Sequence, residues 1–358
     1  MSFNFPFLGL VRIFLFPLSF IYFAIIWCRN RLYDNGILKS VSFNLPVICI
    51  GNLSTGGTGK SPMVEYLVRS LKNEVKVATL SRGYKRKTKG YAMADENSTA
   101  LDIGDEPMLF HIKFPDIAVT VGEERLEAIP QLLHDRPDTG VIILDDAFQH
   151  RAVKAGYNIL LVDCNNLFTR DWYLPTGNLR DERKNYKRAD LVIITKCPPQ
   201  MTRTQMERTE KEISPLPNQR LFYATIRYSL PYHIFTKETF QLDSNLEVLL
   251  ITGIANPAPL KKYLQVHTAA YYQLNFNDHQ IFTIDDLKDI IKRFDDIQSD
   301  SKIILTTEKD AVRLTKFSNA LTGLPLYVIP IEHEFLFGGG QQFNTLVKTF
   351  IHNFNYTS

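Results

Sequence analysis

Three groups of residues have types and spacings that can do chemistry. The first is LSTGGTGKSP at 53–62. Gly56, Gly57 and Gly59 let successive backbone N–H groups turn inward, an arrangement that cradles phosphate oxygens. Lys60 supplies a cation for the β- and γ-phosphates of a nucleotide, and Ser61 a hydroxyl for Mg²⁺. Pro62 suits the first turn of a helix, where its missing N–H is not needed. The standard phosphate loop has Gly six residues before the Lys, and here that position is Ser54. A plain Gly-rich turn is the bland alternative, and the context argues against it. An apolar, β-branched stretch, LPVICIGN at 45–52, runs into the loop, and MVEYLVRSL at 63–71 leaves it with helical spacing. Ser54, Thr55, Gly56, Gly57, Thr58, Gly59, Lys60 and Ser61 are therefore the candidate nucleotide-binding set.

The other two groups are acidic. VIILDD at 141–146 reads as a strand ending in Asp145 and Asp146. A carboxylate at the carboxyl end of a parallel strand beside a phosphate loop is where Mg²⁺ or its water shell is held. The competing role is a helix N-cap. GDEP at 104–107 places Asp105 and Glu106 side by side before the apolar MLFHIKF. Such residues complement a helix dipole, and in a loop between nucleotide-site strands they are also catalytic candidates. A fourth, weaker pair is Asp278–His279, in a loop before TIDDL. A lone His is more often structural than catalytic, but one beside an Asp is a candidate acid–base helper. Arg82, Lys85, Arg86, Lys87 and Lys89 form a basic run, either a solvated surface or a patch for anionic lipid headgroups or an acidic substrate.

These residues need a scaffold. From about 75 to 194, short apolar strands alternate with helical stretches, which predicts a mostly parallel sheet with helices on both faces. Ligands in such sheets sit beyond the carboxyl ends of the strands, where all three groups fall. The expected fold class is α/β of the P-loop NTPase type with a smaller second α/β domain. The expected division is a hydrophobic N-terminal helix at 1–35, a P-loop core at 36–220, a β-hairpin linker at 221–244, and a smaller domain at 245–358 completing the active-site cleft. The length of 358 residues agrees with two domains, and 45% hydrophobic with 22% charged residues is a globular composition. A net charge of +3 is too small for a dedicated nucleic-acid binder. Cys28, Cys49, Cys164 and Cys197 form no CxxC pair, which argues against a disulfide framework or zinc ribbon and fits a reducing compartment.

The mean hydropathy of −0.12 hides an uncharged run, IFLFPLSFIYFAIIWC at 13–28, followed by Arg29 and Arg31. It is short for a membrane span, and Pro17 weakens it as a helix interior. No positive start or small-residue cleavage site marks it as a signal peptide. A single span and a helix lying in the membrane interface both remain open, set against a buried core helix.

Taken in order, GNLSTGGTGKSP, SRGYKRK, GDEP, LDDAFQHR, LPTGNLRDE, ITGIANP, FNDHQIFT and TTEKDAVR resemble the tetraacyldisaccharide 4'-kinase (lipid A 4'-kinase) family across nearly the whole chain. The resemblance implies transfer of the γ-phosphoryl of ATP to the 4'-hydroxyl of an acylated glucosamine disaccharide 1-phosphate. It implies Asp105 as catalytic base, supported by His279, and acidic positions Glu106, Asp145 and Asp146 around Mg²⁺ and the phosphates. Of these, Asp146 is grouped with the catalytic residues, and Ser61, Glu106 and Asp145 with the metal. Family members often carry Thr where Ser61 stands, and LPTGNLRDE departs slightly from the commoner form. The implied partners are the lipid substrate and a membrane surface, with no nucleic acid and no obligate protein partner. The implied location is the cytoplasmic face of the bacterial inner membrane. A membrane-associated P-loop NTPase switching a protein partner is the alternative function.

Overall fold

The structure, a computed structural model, describes residues 14–278 and 280–354. The chain divides into two compact units: residues up to 227 together with those from 332 onward, and residues 228–331.

In chain order the strands are β1 Val47–Gly51, β2 Val77–Ser81, β3 Ala92–Met93, β4 Ala118–Val121, β5 Val141–Asp145, β6 Tyr157–Asp163, β7 Leu191–Thr195, β8 Arg220–Tyr228, β9 Tyr232–His233, β10 Glu247–Thr252, β11 Ala270–Asn275, β12 Lys302–Thr307, β13 Leu326–Ile329 and β14 Ile331–Phe335. The larger unit carries a nine-stranded sheet in the order β14-β8-β7-β6-β1-β5-β2-β4-β3. From β8 to β4 all neighbours are parallel, and β3 closes one edge antiparallel to β4. Strands β1, β2, β5 and β7 are buried along their whole length, as expected of strands covered on both faces. Ile48 and Ile50 join one core with Val64, Leu67 and Val68, while Val47 and Cys49 join the core on the opposite face. The alternating pleat of one strand thus anchors both layers.

The strand order turns at β1, which lies between β5 and β6. Its register with β5 sets Ile50 opposite Asp145, so the loop after β1 and the acidic end of β5 share one edge. That edge is the switch point at which open parallel sheets bind ligands.

Two expectations about domain division differ from the structure. Residues 221–244 do not form a linking hairpin. Phe222, Tyr223 and Ala224 are buried in β8, which pairs in parallel with β7, while β9 pairs with β13 in the smaller sheet. The smaller unit also stops well before the end of the sequence. Strand β14 and the helix Gly339–His352 return to the larger unit, where Phe343 and Val347 pack with Phe222 and Phe335. Gly339 and Gly340 begin that helix.

The smaller unit has five strands in the order β11-β10-β12-β13-β9, the first four parallel and β9 antiparallel. Leu249, Ile251 and Ile304 face one core, and Val248, Leu250 and Ile303 the other.

The apolar N-terminal run forms the helix α1, Phe16–Asp34. Pro17 sits in its first turn, where no intrahelical N–H is required, so it does not break the helix. Residues 1–13 lie outside the described residues. No helix among the described residues is long and apolar enough to cross a membrane.

Candidate active site

The site is built from the phosphate loop outward. β1 is followed by Asn52, which is fully buried. Asn52 Nδ2 donates to Thr58 Oγ1 at 3.0 Å, holding the two ends of the loop together. Gly56 (φ 105°) and Gly59 (φ 85°) occupy left-handed backbone conformations that side-chain-bearing residues rarely adopt. Thr55, Gly56 and Gly57 are exposed at the loop tip, whereas Ser54 and Thr58 are buried. Ser54, at the position of the missing Gly, bridges to Leu179, and Thr55 N–H donates to Asn178 O at 2.7 Å. The departure from the standard pattern therefore coincides with an added backbone brace from the LPTGNLRDE segment.

The helix Lys60–Leu71 begins as the loop ends, with no acidic residue in its first turn. Its N-terminal N–H groups and dipole thus face the loop without a competing carboxylate on the same turn. Lys60 Nζ lies 3.5 Å from both Asn52 Oδ1 and Asp146 Oδ1. Ser61 Oγ donates to Glu106 Oε1 at 2.8 Å. Glu106 and Asp105 open the helix Asp105–Lys113 after Gly104, so that helix start is fastened to the phosphate loop. The structure thereby brings GDEP to the loop, an association that spacing in the sequence does not reveal.

Asp145 and Asp146 have opposite environments. Asp146, at the positive φ of 51°, pairs with both terminal nitrogens of Arg180, Nη1 to Oδ2 at 3.1 Å. Burial opposes its ionisation, but Arg180 and Lys60 outweigh that and bring its pKa down to about 2. Asp145 is 3% exposed, and its Oδ1 has no hydrogen-bond partner. Burial first, then the nearby charges of Glu106 and Asp146, push its pKa up to about 7. Such a carboxylate is poised to gain from a cation.

Of the supporting residues around these groups, Arg180 and Arg125 were not singled out from the sequence. Arg180 also donates to Asn52, joining the phosphate loop to Asp146. Arg125, buried at 1% exposure, donates to Asp145 O at 3.3 Å and to carbonyls of the loop after β4. Gln149 Nε2 donates to Asn52 O at 2.8 Å. His150, next to it, is kept neutral by burial and then by the positive charges of Arg125, Arg82 and Arg29, with its pKa down to about 4. In the basic run, Arg86 does not face outward. Its side chain is 1% exposed and pairs with Glu123 at 2.7 Å, which leaves Arg82, Lys85, Lys87 and Lys89 on the surface. His279 lies outside the described residues. No group of three or more His, Cys, Asp or Glu side chains arranged around a metal occurs among the described residues.

A parallel sheet whose switch point carries a Gly-rich loop, Lys60 and Ser61 at a helix start, and a strand-end carboxylate defines a P-loop nucleotide-dependent phosphotransfer protein. The profile of the tetraacyldisaccharide-1-P 4'-kinase family matches residues 11–352, and the chain belongs to that family. Relatives named tetraacyldisaccharide 4'-kinase include one from Bacteroides thetaiotaomicron, 43% identical with 92% of this chain and 90% of the relative covered. Another, from Flavobacterium johnsoniae, is 43% identical and covers 92% and 94%. Among solved structures, LpxK from Aquifex aeolicus in complex with ATP matches at a TM-score of 0.74 and 28% identity, covering 95% of this chain and 99% of that one.

Proposed function

We propose that this chain transfers the γ-phosphoryl group of ATP to the 4'-hydroxyl of a tetraacylated glucosamine disaccharide 1-phosphate, the kinase step of lipid A synthesis. The observation that carries the reading is the joining of three groups on one sheet edge, in a chain of this family: the loop with Lys60, the strand end with Asp145 and Asp146, and GDEP through Ser61–Glu106. Backbone N–H groups of the loop tip and of the helix start at Lys60 take the phosphates. Lys60, steered by Asp146 and Asn52, offsets charge on the transferring group. Asp105 accepts the proton of the 4'-hydroxyl as its oxygen bonds to the γ-phosphorus, and ADP departs with the bridging oxygen's electrons. The assignment of His279 as helper to Asp105 rests on the family motif.

The donor set fits Mg²⁺. Ser61 Oγ, Glu106 and the unpartnered Oδ1 of Asp145 are hard oxygen donors, and Mg²⁺ is commonly held by one or two carboxylates together with substrate phosphates. Bound there, the ion neutralises charge on the phosphates.

The substrate is amphiphilic, and we place the chain at the cytoplasmic face of the inner membrane, a location for which the N-terminal apolar residues offer a contact surface. Phe14, Phe16, Leu18, Phe20, Ile21 and Ile25 are each at least half exposed, an apolar surface of the kind that marks membrane or protein contact.

The test is a phosphotransfer assay in detergent with ATP, Mg²⁺ and the tetraacyl disaccharide 1-phosphate. Asp105→Asn should lower turnover by about 10²-fold or more while ATP still binds. Full activity in that variant removes Asp105 from the mechanism. ATP hydrolysis at full rate without the lipid acceptor would favour the NTPase-switch reading instead.

A further inference from the structure

We infer that Thr195 and His333 are positioning residues for phosphate binding, which hold the carbonyls of Thr58 and Gly59 turned away from the interior of the loop. Neither residue belongs to the loop or to the acidic groups, and each comes from a distant part of the chain. Thr195 ends β7 and is fully buried. Its hydroxyl lies 2.8 Å from Thr58 O and 3.3 Å from Val162 O, so the shorter contact, to the loop, is favoured for its single proton. His333 lies in the middle of β14 at 4% exposure, with Nε2 2.8 Å from Gly59 O. A carbonyl only accepts, so Nε2 carries the proton. Burial keeps the ring neutral, with its pKa down to about 4. The ring is also packed tightly on Gly59: a Cβ built there would lie 2.8 Å from His333 Nε2.

The consequence follows from peptide geometry. In a planar trans peptide the C=O and the following N–H point in opposite directions. Fixing Thr58 C=O outward directs Gly59 N–H inward, and fixing Gly59 C=O outward directs Lys60 N–H inward. Met63 N–H reaches Gly59 O at 3.2 Å, so the helix helps, but His333 supplies the shorter contact. Thr58 O has in Thr195 a donor that the helix does not provide. With both donors in place, two adjacent N–H groups are preset for an anion. Without them, the carbonyls can swing inward and repel phosphate oxygens.

This inference rests on the reading of the loop as an ATP site. The experiment compares Thr195→Val, His333→Phe and His333→Gln in the full chain, measuring Kd for ATP, kcat at saturating ATP, and melting temperature. Thr195→Val keeps the shape and loses the donor. His333→Phe keeps a ring and loses the donor, and His333→Gln restores an N–H near the Nε2 position. Thr195→Val and His333→Phe should each weaken ATP binding about fivefold to tenfold, the scale of one hydrogen bond. Their kcat should stay within about twofold, and His333→Gln should bind ATP within about twofold of the unaltered chain. Should His333→Phe fail to fold, Thr195→Val and His333→Gln decide the matter. Unchanged ATP affinity in Thr195→Val and His333→Phe overturns the inference, as does a folded His333→Gln that binds as weakly as His333→Phe. An unaltered chain that binds no ATP overturns the nucleotide reading itself, a different result from ATP binding that the variants leave untouched.

Discussion

At the scale of residues, the neighbours Asp145 and Asp146 show how environment divides labour between identical side chains. Asp146 is held ionised by Arg180 and Lys60, while Asp145 is buried without a hydrogen-bond partner on Oδ1 and faces like charges. Asp145 therefore opposes folding when it is charged and no cation is bound. Its folded pKa, about 7, lies above the ordinary carboxylate value. Its contribution is neutral below about pH 4, and the penalty grows as pH rises from there and is complete above about 7. Asp145→Asn should then stabilise the chain in EDTA at pH 8, read as a higher melting temperature, by at most about 4 kcal/mol, with much less gain at pH 4.5. The same variant should lose most phosphotransfer, as expected where function keeps a costly group in place. A metal-free Asp145→Asn that is no more stable than the unaltered chain at pH 8 would contradict this account. The loop and the two acidic pairs were legible in sequence because their signals are local: a strand, a turn chemistry and a helix start in register. Asn52, Arg180, Thr195 and His333 were not, because each acts across the fold. Arg180 meets Asn52 from 128 positions away, and His333 meets Gly59 from 274.

At the scale of elements, α1 reverses the usual amphipathic arrangement. Its buried positions include Ser19 and Asn30, and its exposed ones are mostly large apolar residues. Ser19 Oγ donates to Thr176 Oγ1 at 2.6 Å, Tyr22 OH to Arg180 O at 3.2 Å, and Asn30 Nδ2 to Asp181 and Glu182 at 2.9 and 3.0 Å. The polar side of the helix is thus docked on the segment that also braces the phosphate loop. Hydropathy exposed the apolar run but could not tell which face packs, since that depends on partners some 150 positions away. Two variants separate the faces. Phe20→Ser with Ile25→Ser should leave the melting temperature within about 2 °C, because exposed substitutions change stability little. It should reduce sedimentation with vesicles containing anionic phospholipid severalfold, in line with the apolar area removed. Asn30→Leu should instead destabilise by about 1–3 kcal/mol, because it takes a donor from two buried carboxylates. Equal vesicle binding by the Phe20/Ile25 variant would show that α1 does not provide the membrane contact.

At the scale of the whole molecule, β–α alternation announced a parallel sheet with covered faces, and hydrophobic runs marked nearly every strand. The path of the chain was less legible. Sequence neighbours are usually spatial neighbours, so a strand and helix that follow the smaller unit were assigned to it. Instead the chain leaves the larger sheet after β8, completes the unit 228–331, and returns to place β14 beside β8. The reason is apolar packing: Phe335, Phe343 and Val347 meet Phe222 and the Tyr66 ring, with ring centroids 4.7 to 5.9 Å apart among Phe222, Phe335 and Phe343 and between Tyr66 and both later rings. The same return delivers His333 to Gly59. The C-terminal segment therefore belongs to the nucleotide-binding unit both in stability and in function, and truncation should show it. Phe343, fully buried, should cost about 3–5 kcal/mol when changed to Ala, measured by urea unfolding of the larger unit. A chain ending at 331 should lose that unit's cooperative transition and its ATP binding together, while 228–331, with its own sheet and two cores, keeps a separate transition. ATP binding retained by the chain ending at 331 would place the C-terminal segment outside the nucleotide-binding unit and contradict the path described.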